Sequence, residues 1–208
     1  MKIRMILVAF MLVLMFAGTA SAQNRGARAG NLSLGIGGLF PQGDVKGADF
    51  NTSYQGAIMY EYFGNKNVGV GVDFIFSTMD SDTFVRSHTI SGSTGDYETK
   101  YDVTNYGLII SALTRYNRSF YDMYAGAGVG YIFTGSEMVV STPSGTVKKE
   151  EDNFNYCLQL TLGFRAYVSN NLNIGVVAKY LIFENDLAEA KNVDLNGLSI
   201  MATFGFSF

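Results

Sequence analysis

Six charged side chains stand out in this sequence because of the company they keep. Glu61, Asp73, Arg115, Asp122, Arg165 and Lys179 each sit on the polar side of a segment that is otherwise apolar at alternate positions. Three acids and three bases set into such segments can pair with one another, because burying a charge is costly unless a counter-charge meets it. Two uses follow from that chemistry. A static ion-pair network would fill an interior. Pairs that exchange partners, such as Glu61 with Arg165 or Asp122 with Lys179, would instead gate the passage of small ions.

A second group carries hydrolytic chemistry on paper. His88 is the single histidine, beside Ser87 and Ser91 and close in sequence to Asp80 and Asp82. A His that activates a hydroxyl, oriented by an acid, is the general-base arrangement of acyl transfer. No spacing here marks a triad, so His88 reads first as a loop residue. One His and one Cys (Cys157) do not make a zinc site, and no metal or other cofactor is expected. The single Cys also has no partner for an internal disulfide. The net charge of −3 argues against nucleic acid as a partner.

The elements that hold these residues follow from periodicity. Met1–Ala22 reads as a cleaved secretory signal. It has Lys2 and Arg4, an apolar run from Met5 to Ala17, and Ala20-Ser21-Ala22 before Gln23. That run is shorter than the roughly 20 residues a spanning helix needs. Residues 23–30 form a short polar lead-in, and residues 31–208 are expected to form one domain. Within it, eight segments alternate apolar with small or polar residues, the signature of strands with two unlike faces. They run from about Leu32 to Phe40, Thr52 to Phe63, Val68 to Ser77, Tyr101 to Tyr116, Phe120 to Phe133, Phe154 to Val168, Leu172 to Phe183, and Leu198 to Phe208. In the last, Leu198, Ile200, Ala202, Phe204, Phe206 and Phe208 share one face. Abundant Gly (24) and scarce Pro (2) suit long paired strands.

The connections alternate in length. Gly64–Asn67, Asn117–Ser119 and Ser169–Asn171 are tight and rich in Asn and Gly, residues that tolerate turn conformations. The stretches 41–51, 79–100, 134–153 and 184–197 are long. An up-and-down sheet then gathers every short turn at one rim and every long loop at the other. Two long loops carry turn residues between alternating flanks, Ser91-Gly92-Ser93-Thr94-Gly95 and Thr142-Pro143-Ser144-Gly145. The sheet is therefore expected to project beyond the span over residues 84–101 and 138–150. The apolar face carries aromatics toward both ends, including Tyr60, Tyr62, Tyr116, Tyr121 and Phe206 near the short turns and Phe40, Phe76, Tyr131, Phe133 and Phe154 toward the long loops. Lipid, with its two interfaces, selects such girdles, whereas a water-facing exterior carries abundant Lys and Glu.

On these residues the chain resembles the eight-stranded outer-membrane barrels of the OmpA, OmpX and OmpW type. The resemblance implies an all-β fold, an eight-stranded antiparallel up-and-down transmembrane β-barrel. It also implies a bacterial outer-membrane location, and a monomer in contact with outer-membrane lipid and lipopolysaccharide. Phe204, Phe206 and Phe208 resemble the terminal signal read by the outer-membrane assembly machinery. The implied roles are structural, surface-interaction or limited small-solute passage, without catalysis. Two alternatives come with the family. One is a carrier for small hydrophobic molecules, with Ile75, Ile109, Leu113, Val177 and Leu181 as the hint of an apolar lumen. The other is a lipid A-modifying enzyme. Eight strands enclose an interior just wide enough for side chains, so a general diffusion pore does not follow.

Overall fold

The computed structural model describes residues 29–208, apart from 43, 46–47, 66, 91–92, 144 and 188–189. The expected signal segment and most of the lead-in lie outside the described residues. Among the described residues the chain forms thirteen strands: β1 (Gly30–Pro41), β2 (Asp44–Val45), β3 (Ala48–Asp49), β4 (Ser53–Tyr62), β5 (Val68–Asp80), β6 (Phe84–Ile90), β7 (Ser93–Asn117), β8 (Tyr121–Thr142), β9 (Gly145–Tyr167), β10 (Leu172–Ile182), β11 (Glu184–Leu187), β12 (Ala190–Asp194) and β13 (Gly197–Ser207).

Eight of them close a ring in the order β1, β4, β5, β7, β8, β9, β10, β13 and back to β1, antiparallel throughout. The closing seam runs from Asn31↔Ser207 to Pro41↔Gly197. It is locked below by Gly30 N–H donating to Phe208 O (2.8 Å) and Phe208 N–H to Gly30 O (2.9 Å). A closed ring leaves no unpaired strand edge in the lipid, where an unmet backbone group costs several kcal/mol.

The alternation read from sequence sets the two faces. Leu34, Ile36, Ile110, Val129, Leu162 and Phe204 are exposed on the outside, while Met59, Asp73, Ile109, Gln159, Lys179 and Met201 are buried inside. Outer aromatics gather into two belts. Tyr60 with Phe208 (6.5 Å) and Tyr121 with Phe164 (5.8 Å) lie near the short turns. Phe76 with Tyr106 (5.2 Å) and Tyr131 with Phe154 (4.8 Å) lie toward the other rim. Tyr106 and Tyr116 mark the two belts on β7. Ten residues separate them, about 33 Å along the strand, or about 25 Å of height at a tilt of about 40°. That height matches the apolar band of an outer-membrane barrel.

The short turns are tied by their own side chains. Asn65 Oδ1 accepts from the N–H groups of Asn67 (2.9 Å) and Val68 (2.7 Å). Ser169 Oγ does the same for Leu172 (3.1 Å). At the far rim the long connection 134–153 forms the hairpin expected over 138–150, with its strands continuous with those of the ring. β8 and β9 stay in register from Tyr121↔Ala166 out to Thr142↔Gly145. Gly145, at φ +137°, supplies the left-handed step that lets the chain reverse there. β7 likewise runs out to Ser93 and pairs with β6. β6, β7, β8 and β9 thus continue as a sheet beyond the ring, as expected of the two hairpins. From Phe133 to Thr142 that extension is about 30 Å along the strand.

Candidate functional site

The lumen is layered. Asp73 on β5 accepts hydrogen bonds from Lys179 on β10 and from Gln159 Nε2 on β9 (2.6 Å). Gln159 Nε2 also reaches Thr161 Oγ1 (3.0 Å). β5 and β10 are separated by three ring strands in either direction, so the Lys179–Asp73 bond crosses the full bore. A second crossing lies closer to the short turns. Arg165 Nη2 on β9 donates to Glu61 Oε2 on β4, again three ring strands apart both ways.

Asp122 on β8 completes the lower layer. It meets Arg165 Nε at 3.4 Å and Arg115 Nη1 at 3.7 Å, and it accepts from Tyr167 Oη and Asn117 Nδ2. The guanidiniums are stacked as well as paired. Arg165 lies 4.5 Å from the centre of the Tyr124 ring and Arg115 lies 4.0 Å from that of Phe63. All six charges singled out in the sequence therefore face the lumen, and all are at most 5% exposed. Glu61 meets Arg165 as expected. Asp122 does not meet Lys179. Register decides this: Asp122 stands opposite Arg165, whereas Lys179 stands opposite Thr161, four residues farther up the wall of β9.

Above the charges the lumen turns apolar. Ile75, Ile132 and Leu181 are buried above the Lys179–Asp73 bond, Ile109, Val177 and Met201 are buried level with it or just below, and Leu39, Phe50, Met79, Phe183 and Leu195 close over the far rim. Ile75, Ile109, Leu113, Val177 and Leu181, the hint of an apolar lumen in the sequence, are all buried inside, but only Ile75 and Leu181 belong to the upper layer. Of the rim residues, Phe50, Met79 and Leu195 gave no such hint, because they lie in stretches read as loop, and Leu39 and Phe183 sit at the ends of segments read as strands. The only signal of the first three was apolar character inside polar connections. A void of about 10 Å³ remains among Leu39, Ser77, Asn105, Phe183 and Leu195, about the room one water needs.

The hydrolytic candidates are not assembled. Ser87 and His88 are adjacent on β6, so their side chains leave opposite faces of the sheet. His88 Nε2 lies 2.9 Å from Thr99 Oγ1 on the buried face, while Ser87 Oγ donates to Asp96 on the outer face. Asp82 is held by Asn51 Nδ2 (3.1 Å). Residues 91–92, and the side chain at 93, lie outside the described set.

The outer face of the projecting sheet is acidic. Asp80, Asp102, Glu137 and Glu150 stand directly opposite one another across β5, β7, β8 and β9. Like charges in such positions repel, and two lysines offset them. Lys100 lies 3.1 Å from Asp102 and 3.5 Å from Asp80, and Lys148 pairs with Glu137. Asp102, accepting its hydrogen bond, holds the Lys100 ammonium above the usual lysine range, and Glu137 does the same for Lys148.

A closed eight-stranded sheet, oily outside between two aromatic belts and filled with crossed charges inside, defines a transmembrane β-barrel. The chain belongs to the outer membrane protein β-barrel domain family, whose sequence model matches residues 8–206, and membership places it in the bacterial outer membrane. Among solved structures, Neisserial surface protein A is similar at 13% identity and a TM-score of 0.55, over 86% of this chain and 97% of that one. The outer membrane protease OmpT from Escherichia coli is similar at 8% identity and a TM-score of 0.52, over 90% and 99%. Ail, the attachment invasion locus protein of Yersinia pestis, matches at 16% identity and a TM-score of 0.48, over 88% and 100%. At these identities the likeness is one of fold alone. No curated protein matches the sequence.

Proposed function

We propose that this barrel is a non-conducting membrane anchor whose task is to hold the β6–β9 sheet out from the cell surface for interaction with other molecules. The observation that carries the reading is the filled bore. Two ion pairs join opposite walls and an apolar cap closes the far rim. A conducting lumen would need both layers displaced. Planar-bilayer recording of the refolded protein tests this, with Arg165→Ala as the comparison. Silent traces for both are expected. Steady unitary conductance in the wild type would overturn the reading in favour of solute passage.

Catalysis has no part in the proposal, since Ser87 and His88 diverge. Unchanged lipid A profiles on overexpression, for wild type and His88→Ala alike, are the matching expectation. The carrier alternative draws support from the apolar upper lumen, but a one-water void leaves no room for a hydrophobic ligand without rearrangement. Outer-membrane lipid and lipopolysaccharide remain the proposed surroundings. The assembly machinery remains the proposed reader of Phe204, Phe206 and Phe208, which line up on the lipid face of β13 and at its end.

A further inference from the structure

β9 changes character in steps along its outward face. Taken alternately from the far rim, Glu150, Asp152, Phe154, Tyr156, Leu158 and Leu160 point the same way. Acid gives way to aromatic and then to aliphatic. Phe154 is 63% exposed and Tyr156 76%. Tyr131 on β8 lies against both, its ring centre 4.8 Å from that of Phe154 and 4.6 Å from that of Tyr156, so three rings form one patch. The acids above this patch are not the compensated ones. Lys100 meets Asp80 and Asp102, and Lys148 pairs with Glu137. Among the described residues no base is ion-paired with Glu150 or Asp152. Asp152 stands opposite Gly135, so β8 sets no side chain directly beside it.

Below the rings the wall recedes. Ala112 on β7 and Ala127 on β8 are paired, between Val70 on β5 and Leu160 on β9 in the same row. Ile110, Val129 and Leu158 form the row above. Two short side chains flanked by long ones leave a recess of about 520 Å³ on the lipid side. From Asp152 to Leu160 is about 26 Å along the strand, or about 20 Å of height at a tilt of about 40°. That is half the roughly 40–45 Å of a bilayer with its headgroups. An amphiphile with its head at Asp152 therefore ends its chains at the recess. We propose that this strip docks one outer-leaflet lipid whose headgroup carries an ammonium, held over the three rings beneath Glu150 and Asp152, with an acyl chain seated between Ala112, Ala127 and their flanks.

Charge decides the head. An ammonium within about 6 Å of a ring centre is drawn to the electron-rich face, and the carboxylates of Asp152 and Glu150 add counter-charge on the same side. A phosphate without an ammonium would meet both acids with like charge. An uncharged head would gain neither attraction. A second copy of this chain fits poorly, because a two-fold contact through this wall sets the two unpaired acids against their own copies at one height. The inference needs only the lipid-facing orientation of the wall, so it stands whether or not the bore conducts.

The test uses the full chain refolded in mixed micelles and read by native mass spectrometry, with the folding of every variant checked by heat-modifiable gel mobility. The probes share two palmitoyl chains and differ in the head: trimethylammonium, its uncharged tert-butyl isostere, and phosphatidylglycerol. One trimethylammonium lipid per barrel is expected to stay bound, with an affinity at least about tenfold above the other two. Glu150→Gln/Asp152→Asn should erase that preference. Asp80→Asn, on the same face but paired with Lys100, should keep it. Ala127→Phe fills the recess and should weaken the palmitoyl lipid about tenfold, while a hexanoyl lipid with the same head, too short to reach the recess, binds wild type and variant alike. The comparison of heads on the wild-type protein keeps the test independent of how any variant folds. Equal retention of the three heads overturns the inference. So does a preference lost equally in Asp80→Asn, which would reduce it to attraction by a diffuse negative field. Full retention of the palmitoyl lipid by Ala127→Phe would remove the recess from the site and overturn the docking as drawn. Barrel dimers in place of lipid-bound monomers would assign the wall to a second copy.

Discussion

Lys179 and Asp73 face each other from opposite walls of the ring and join across its bore, both almost wholly out of contact with solvent. The bond lies between a layer of further charge below and an apolar cap above. It makes the lumen a packed interior with a polar floor rather than a channel.

Removing one member of that pair leaves the other buried and alone. Lys179→Ala is expected to cost about 3–5 kcal/mol, read as a lower urea midpoint for unfolding from lipid vesicles. The double variant Lys179→Met/Asp73→Leu should recover most of the loss, because an apolar pair carries no orphaned charge. A double variant as unstable as the single one would show that the cost arises from packing instead.

Asp122 concentrates more contacts than any other lumen acid among the described residues, meeting two arginines, Tyr167 and Asn117. Asp122→Asn keeps the shape and removes the charge facing both guanidiniums. We expect it to destabilise the barrel more than Asp80→Asn on the exposed face, where screening leaves an ion pair worth about 1 kcal/mol or less. Equal midpoints for the two variants would refute the ranking.

The two faces of one strand should respond oppositely. Leu160, 53% exposed, points to lipid, and Gln159, 1% exposed, points inward. Leu160→Arg near the middle of the band is expected to cost about 2–4 kcal/mol. If the protein tolerates Leu160→Arg as well as it tolerates Arg at exposed Thr146, the assignment of faces is wrong.

On β8 the inner glycines are needed for closeness. A Cβ added at Gly128 would lie 2.2 Å from Ser111 Oγ and 2.8 Å from Ile110 O. Gly128→Val should therefore lower the yield of the heat-modifiable folded form on gels. Ala127→Val, one residue along and facing lipid, should leave it unchanged.

The C-terminal aromatics carry a separable prediction. Phe206 and Phe208 stack on each other at 6.4 Å, and Phe208 lies 6.5 Å from Tyr60. Phe208→Ala keeps the backbone bonds to Gly30. It should refold in detergent with near wild-type stability yet accumulate poorly in the outer membrane of cells. A matching loss in both settings would make the ring a packing residue and not an assembly signal.

Much of this was legible in the chain alone. Period-two alternation is a local property, so Val68 to Ser77 and Phe154 to Val168 declare their inner and outer faces before any partner is known. The same holds for the rim of short turns, since Asn65 and Ser169 cap their own neighbours. Inward placement of Glu61, Asp73, Arg115, Asp122, Arg165 and Lys179 also follows from position parity.

Other features needed the closed ring. Which acid meets which base depends on the stagger accumulated around eight strands, and that stagger gave Lys179 to Asp73 and Asp122 to Arg165. The apolar cap brings Phe50 together with Phe183 and Leu195, more than a hundred residues along the chain, and nothing local says that these stretches fold inward. The sequence by itself determined the two-faced strand; the tertiary structure alone decided the pairs across the bore and the apolar cap, because both depend on distances that only closure of the sheet sets.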